Sequence, residues 1–197
     1  MLQHYSCVRF HHVLLFPIVN SMSLTFSNVV ETRWIRQQAY NYCQFPSSNS
    51  SAVTILSRKG ARRQLLNENE IAESLENRGY RVLVRNFENQ SYCDQVHVMK
   101  VSKGVISNHG AQLVNLLFLQ PGSFVIEIFN PLFYLDMYEG LARQAEVHYV
   151  ALRNATIVNM PGEKVRRFWY HPYVHCDVVV DPLTIVHLVE SLMFHAC

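Results

Sequence analysis

Glycine is scarce in this chain of 197 residues, at seven, and the closest pair, Gly104 and Gly110, lies six positions apart. Neither a G-x-G-x-x-G dinucleotide fingerprint nor a G-x-x-x-x-G-K-[ST] phosphate loop can be drawn from them. Aspartate is scarcer still, with Asp94, Asp136, Asp177 and Asp181 alone. No two are separated by a single residue, so an Asp-x-Asp clamp for a metal-bound diphosphate is missing. Charged residues make up 16% of the chain and the formal net charge is +2. Half the chain is hydrophobic, which argues against disorder. The weak basic bias gives no reason to expect a nucleic-acid partner. The longest N-terminal apolar run, Val13 to Val19, is broken by Pro17. It is far short of the roughly twenty residues that span a bilayer. It reads either as a poor signal peptide or, preferably, as a buried strand or part of a neighbouring element.

The five cysteines, Cys7, Cys43, Cys93, Cys176 and Cys197, form no C-x-x-C pair. Their odd number leaves the disulfide framework undecided. His171, His175 and Cys176 cluster in HPYVHC without a second ligand pair, so the segment reads as a polar aromatic loop rather than a zinc site. No metal or cofactor is expected. Sequons at Asn49, Asn89 and Asn154 permit a secretory address without requiring one.

What is present is an alternation. Glu31 to Tyr42 reads as a helix with Trp34, Ile35, Gln38 and Tyr42 on one face. FPSSNSSA, Phe45 to Ala52, reads as a linker. Residues 1–52 are therefore expected to be an extension or the remnant of a preceding domain, and 53–197 the main domain. Strands are expected at Val53–Ser57, Arg81–Arg85, Gly104–Ser107, Phe124–Phe129 and Val147–Leu152, short and apolar on both faces. Helices are expected at Asn67–Gly79, Ser91–Val101, Ala111–Leu119 and Tyr134–Glu146. Asn67 and Glu70 form a capping-box pattern, and Gly79 sits where a left-handed C-terminal residue is wanted. Strands alternating with helices predict a doubly wound α/β domain, with its ligand at the loops leaving the C-terminal strand ends.

The polar residues collect on those loops. Arg58, Lys59, Arg62 and Arg63 precede a helix and suit an anion such as phosphate; the bland alternative is a solvated basic turn. His109-Gly110 lies between strand and helix. There glycine admits close backbone approach, and the histidine can donate to a phosphate or act as a base. Asn115, one turn on, reads as a buttress. Glu127 is a carboxylate inside the apolar strand FVIEIF. It needs a partner or a wet position, so it holds either two ribose hydroxyls or a loop arginine. Glu88 in NFENQ sits at an equivalent place or caps the next helix.

In their order these residues resemble the glycosyltransferase 61 family. Arg58 and Arg62-Arg63 are followed by LLNENE, Leu65 to Glu70; then comes FENQSYCDQ, Phe87 to Gln95. The longest similar motif is HGAQLVNLLFLQPGSFVIEI, His109 to Ile128, with Gln112 where the family usually has glycine. Tyr138, Leu141, Ala142 and Tyr149 continue the pattern, and CDVVVDPLTIVHLVESL is similar to the family's closing strand and helix. The resemblance spans about Val53 to Leu152. It implies a Rossmann-like domain, the donor-binding half of a two-domain GT-B glycosyltransferase. It further implies inverting, metal-independent transfer from a nucleotide-sugar, UDP-linked in such members, to a protein or polysaccharide hydroxyl. Arg58, Arg62, Arg63, His109 and Gly110 would hold the diphosphate, and Glu127 the ribose. The compartment implied is the ER or Golgi lumen for a eukaryotic member, and the cytoplasm or cell periphery for a bacterial one. Two such domains do not fit in 197 residues. The expectation is therefore the donor half alone, as a fragment, splice form or short member. The alternative is an inactive binding or scaffold protein that keeps the fold.

Overall fold

The computed structural model describes residues 28–45, 51–60, 63–159 and 176–194. Its centre is a five-stranded parallel sheet in the order β2-β1-β3-β4-β5. The strands are β1 (Ala52–Ser57), β2 (Arg81–Asn86), β3 (Ser102–Asn108), β4 (Phe124–Ile128) and β5 (His148–Leu152). All five lie within two residues of the expected spans. The chain runs outward from β1 to β2, then returns to the other side of β1 to lay down β3, β4 and β5. The order therefore reverses between β1 and β3, and the crevice of a doubly wound sheet opens at that point.

Both faces are covered. α2 (Glu68–Glu76) and α5 (Pro182–Phe194) pack on one side. There Ile71, Leu75, Ile185 and Val189 meet Val53, Ile55, Ile106, Phe124 and Ile126. The other side carries α1 (Val29–Cys43), α3 (Tyr92–Val101), a 3-10 helix (Ala111–Phe118) and α4 (Met137–Gln144). Period-two alternation sends Phe124, Ile126 and Ile128 to the first layer and Val125 to the second, so Glu127 shares the face of Val125. A small antiparallel pair, β6 (Thr156–Asn159) and β7 (Asp177–Val179), lies beyond β5. β7 and α5 occupy the segment read as a closing strand and helix; β6 was not expected.

Several expectations need correction. Asn67 precedes α2 but makes no side-chain cap. Its amide instead bridges the backbone of Val180, donating to the carbonyl and accepting from the N–H. A tertiary pairing has taken over the local one. Gly79 does have the left-handed φ of 83° required of the turn into β2. Ala111–Phe118 is a 3-10 helix rather than an α-helix.

The helix before the linker is not separate from the domain. α1 packs on α3 and the 3-10 helix, and a Cys43–Cys93 disulfide ties it to α3. Its buried face is only partly the expected one: Ile35 packs against the core with Ala39, Tyr40 and Cys43. Trp34 and Tyr42 are exposed, while Thr32, Arg36 and Ala39 are buried. Arg36 donates to the carbonyls of Leu117 (2.9 Å) and Ala145 (2.6 Å), and Thr32 to that of Gln144 (2.6 Å). These carbonyls end the 3-10 helix and α4, where intrahelical partners run out. α1 thus supplies C-terminal caps to two other helices, a need that no local periodicity reveals. Burial lowers the Arg36 pKa, as for any buried cation.

Candidate functional site

The carboxyl ends of β1, β3 and β4 converge at the reversal point, and a small cleft opens there. Arg63, Asn108, His109, Asn130, Phe133 and Cys176 contribute to its walls. Arg58 leaves β1 directly. Its Nη1 lies so close to Gly110 that a methyl group there would collide with it, and Arg63 Nη1 is also near. Two guanidinium groups therefore converge over the Gly110 backbone, where the missing side chain lets Arg58 lie close. Among the described residues neither forms an ion pair. The Arg63 pKa is lowered by burial first and by the Arg58 charge second. Such a pair is unfavourable as it stands, and a bound anion would relieve it.

Arg63 is held in place by its backbone. Its φ of 61° is unusual for a non-glycine residue. The Asn108 amide donates to its carbonyl (3.1 Å). The next residue is gripped by β7: Gln64 N–H donates to Asp177 Oδ1, and Val178 N–H donates back to the Gln64 carbonyl. Two buried atoms stay unsatisfied here, Arg63 Nε and Asn108 Oδ1. One is a donor and the other an acceptor.

Arg62 lies outside the described residues, as do His171 and His175 of the HPYVHC segment. Cys176 is described and buried. Among the described residues no group of three or more His, Cys, Asp or Glu is placed to hold a metal. Lys59 is exposed on the rim. Glu88 does not cap α3, a role taken by Ser91, whose side chain accepts from Asp94 N–H. Its carboxylate instead stands beside Gly60 of the β1–α2 loop. Asn115 donates to Gln95 Oε1 and to the Gln112 carbonyl, joining α3 to the 3-10 helix. Gln112 turns inward, donating to the Leu56 carbonyl and Ser107 Oγ, and so ties the ends of β1 and β3.

Glu127 is fully buried. Neither sequence reading named its partners. Oε1 lies 2.5 Å from His109 Nδ1, and Oε2 accepts from the Tyr149 hydroxyl at 2.5 Å. Among the described residues no arginine reaches it, and both its oxygens are taken up by His109 and Tyr149. It stands opposite Ser107 of β3. The carboxylate's desolvation is offset by two short hydrogen bonds. His109 itself is clasped by rings: Phe129 is stacked at 5.1 Å, and Phe133 and Tyr138 are tilted at 5.2 and 5.6 Å. Burial and the Glu127 charge both raise the Tyr149 and Tyr138 pKa values, so both phenols stay protonated. Tyr149 was visible in the sequence as a motif match, but nothing local tied it to Glu127. The register Glu127↔Ala151 brings it near.

Comparison with known proteins bears on the family. The family described as Glycosyltransferase 61 matches residues 7–126, more than half of the chain. That match begins well ahead of Val53 and so takes in α1 and its cysteine. A protein O-linked-mannose beta-1,4-N-acetylglucosaminyltransferase 2 of Tetraodon nigroviridis is 35% identical over 109 residues, 52% of this chain and 18% of its own length. An EGF domain-specific O-linked N-acetylglucosamine transferase of Bos taurus is 32% identical over 125 residues, 60% of this chain and 23% of its own. The corresponding enzyme of Drosophila melanogaster is 33% identical over 108 residues. The chain spans about a fifth of the length of the curated relatives it matches. On the family match and the motif from His109 to Ile128, the chain belongs to the glycosyltransferase 61 family.

Proposed function

We propose that this domain binds the diphosphate of a nucleotide-sugar and forms the donor half of a GT-B glycosyltransferase. Inverting transfer of the sugar to a protein or glycan hydroxyl, without a metal, is the reaction it serves. The observation that carries this reading is the convergence of Arg58 and Arg63 over Gly110, at the sheet's reversal point and with no carboxylate partner. Cations fixed in a cleft stabilise a leaving diphosphate as a metal would. Arg62 is expected to serve with them on its sequence alone, since it lies outside the described residues. The names of the relatives favour UDP-N-acetylglucosamine as donor and a protein or protein-linked glycan as acceptor. His109 faces the same cleft and is the candidate proton acceptor. The unsatisfied Asn108 Oδ1 suits a hydroxyl or N–H of the sugar.

The Cys43–Cys93 disulfide favours an oxidising compartment, and hence the secretory lumen for a eukaryotic member. Calorimetric titration tests the donor reading. UDP and UDP-N-acetylglucosamine should bind without added metal. A folded protein that takes up neither at millimolar concentration refutes it. Release of UDP from the sugar nucleotide, with or without acceptor, would exclude the reading of an inactive scaffold.

A further inference from the structure

We infer that Tyr149 and Glu127 form a buried relay that fixes the tautomer of His109, placing the proton on Nδ1 and leaving Nε2 bare toward the cleft. Both are positioning residues acting through the histidine.

The relay follows from donor and acceptor roles. The Tyr149 hydroxyl can only donate to Glu127 Oε2, because a carboxylate accepts and the phenol stays protonated. The carboxylate is thereby held in one orientation, with Oε1 turned to His109 Nδ1 at 2.5 Å. An anionic oxygen at that distance requires a proton on Nδ1. His109 Nε2 makes no hydrogen bond among the described residues, and the ring lines the cleft. Phe129, Phe133 and Tyr138 stop the ring from turning over. A bare Nε2 accepts. It therefore meets a hydroxyl of a carbohydrate, while the anionic oxygens fall to Arg58 and Arg63. Should Nε2 take that proton, the ring stays hydrogen-bonded to Glu127 through Nδ1. The identity of the ligand rests on the donor-site reading; the tautomer does not.

The test is nitrogen NMR of the full chain labelled in histidine. In the wild type His109 should show a protonated Nδ1 and a bare Nε2. Glu127→Gln should reverse this. The Tyr149 hydroxyl holds the amide oxygen, so the amide NH2 turns to Nδ1 and moves the proton to Nε2. Glu127→Gln with Tyr149→Phe frees the amide to rotate and should return at least part of the Nδ1–H signal. A wild type protonated on Nε2, or a Glu127→Gln spectrum with the tautomer unchanged, overturns the relay. Should Glu127→Gln fail to fold, Tyr149→Phe decides. It should keep Nδ1 protonated but shift that proton's resonance, and an unshifted resonance overturns the role of Tyr149. Addition of UDP-N-acetylglucosamine should move the Nε2 resonance, whereas inorganic pyrophosphate should not. An equal response to pyrophosphate overturns the hydroxyl assignment. If UDP does not bind while the tautomer reverses as described, the relay stands and the donor reading falls.

Discussion

Arg63 carries the sharpest consequence at the residue scale. Its guanidinium sits half-buried beside Arg58, without an acid, at a φ of 61°. Arg63→Ala should weaken UDP binding by about 1.5–3 kcal/mol, the loss of a charge-assisted hydrogen bond. The melting temperature should stay nearly constant or rise slightly, because a repulsion with Arg58 is relieved. Gly110→Ala should act in the same direction on affinity by pushing Arg58 aside. Titration calorimetry beside a thermal melt separates the two effects. A large loss of stability with unchanged affinity would make Arg63 structural.

At the scale of the element, α1 shows where local patterning and tertiary need part company. Its apolar positions Trp34 and Tyr42 read as the packing face, yet they point to solvent. Arg36 goes inside because two helix ends beneath it need donors. Arg36→Met keeps the aliphatic stem but orphans the Leu117 and Ala145 carbonyls. It should cost about 2–4 kcal/mol in urea unfolding, as buried acceptors lose a charged donor. A cost below about 0.5 kcal/mol would mean that water replaces the guanidinium. The five parallel strands were legible because apolar β-branched runs bounded by turns have few other uses. Arg58, Arg63 and His109-Gly110 were legible because the loops after parallel strands collect ligand groups. The partners of Glu127 were not, since strand register and the reach of a tyrosine from the next strand leave no trace in local spacing. The same holds for Asn67, a cap by its pattern and a bridge to Val180 in fact.

For the whole molecule, the Cys43–Cys93 link closes a loop across a sequence separation of 50. In the chain-entropy picture a loop of that length is worth about 4 kcal/mol. Replacing both cysteines by serine should lower denaturant stability by an amount of that order, with α1 the first element to lose hydrogen-exchange protection. An unchanged stability in the double variant would show that the packing of α1 alone suffices. α1 packs on α3 and the 3-10 helix, so a chain cut at residue 52 would expose the outer surface of those two helices.

The grip of β7 on Gln64 has a bearing on the order of synthesis. The hydrogen bond between Gln64 and Asp177 spans 113 positions, whereas both cysteines of the link lie before β3. As the chain leaves the ribosome, the disulfide can close while most of the sheet is still unmade. Arg63 acquires its bound-ready backbone only after β7 has emerged. A nascent chain lacking its last elements would have the sheet and both arginines, but Arg63 would not yet be gripped through Gln64.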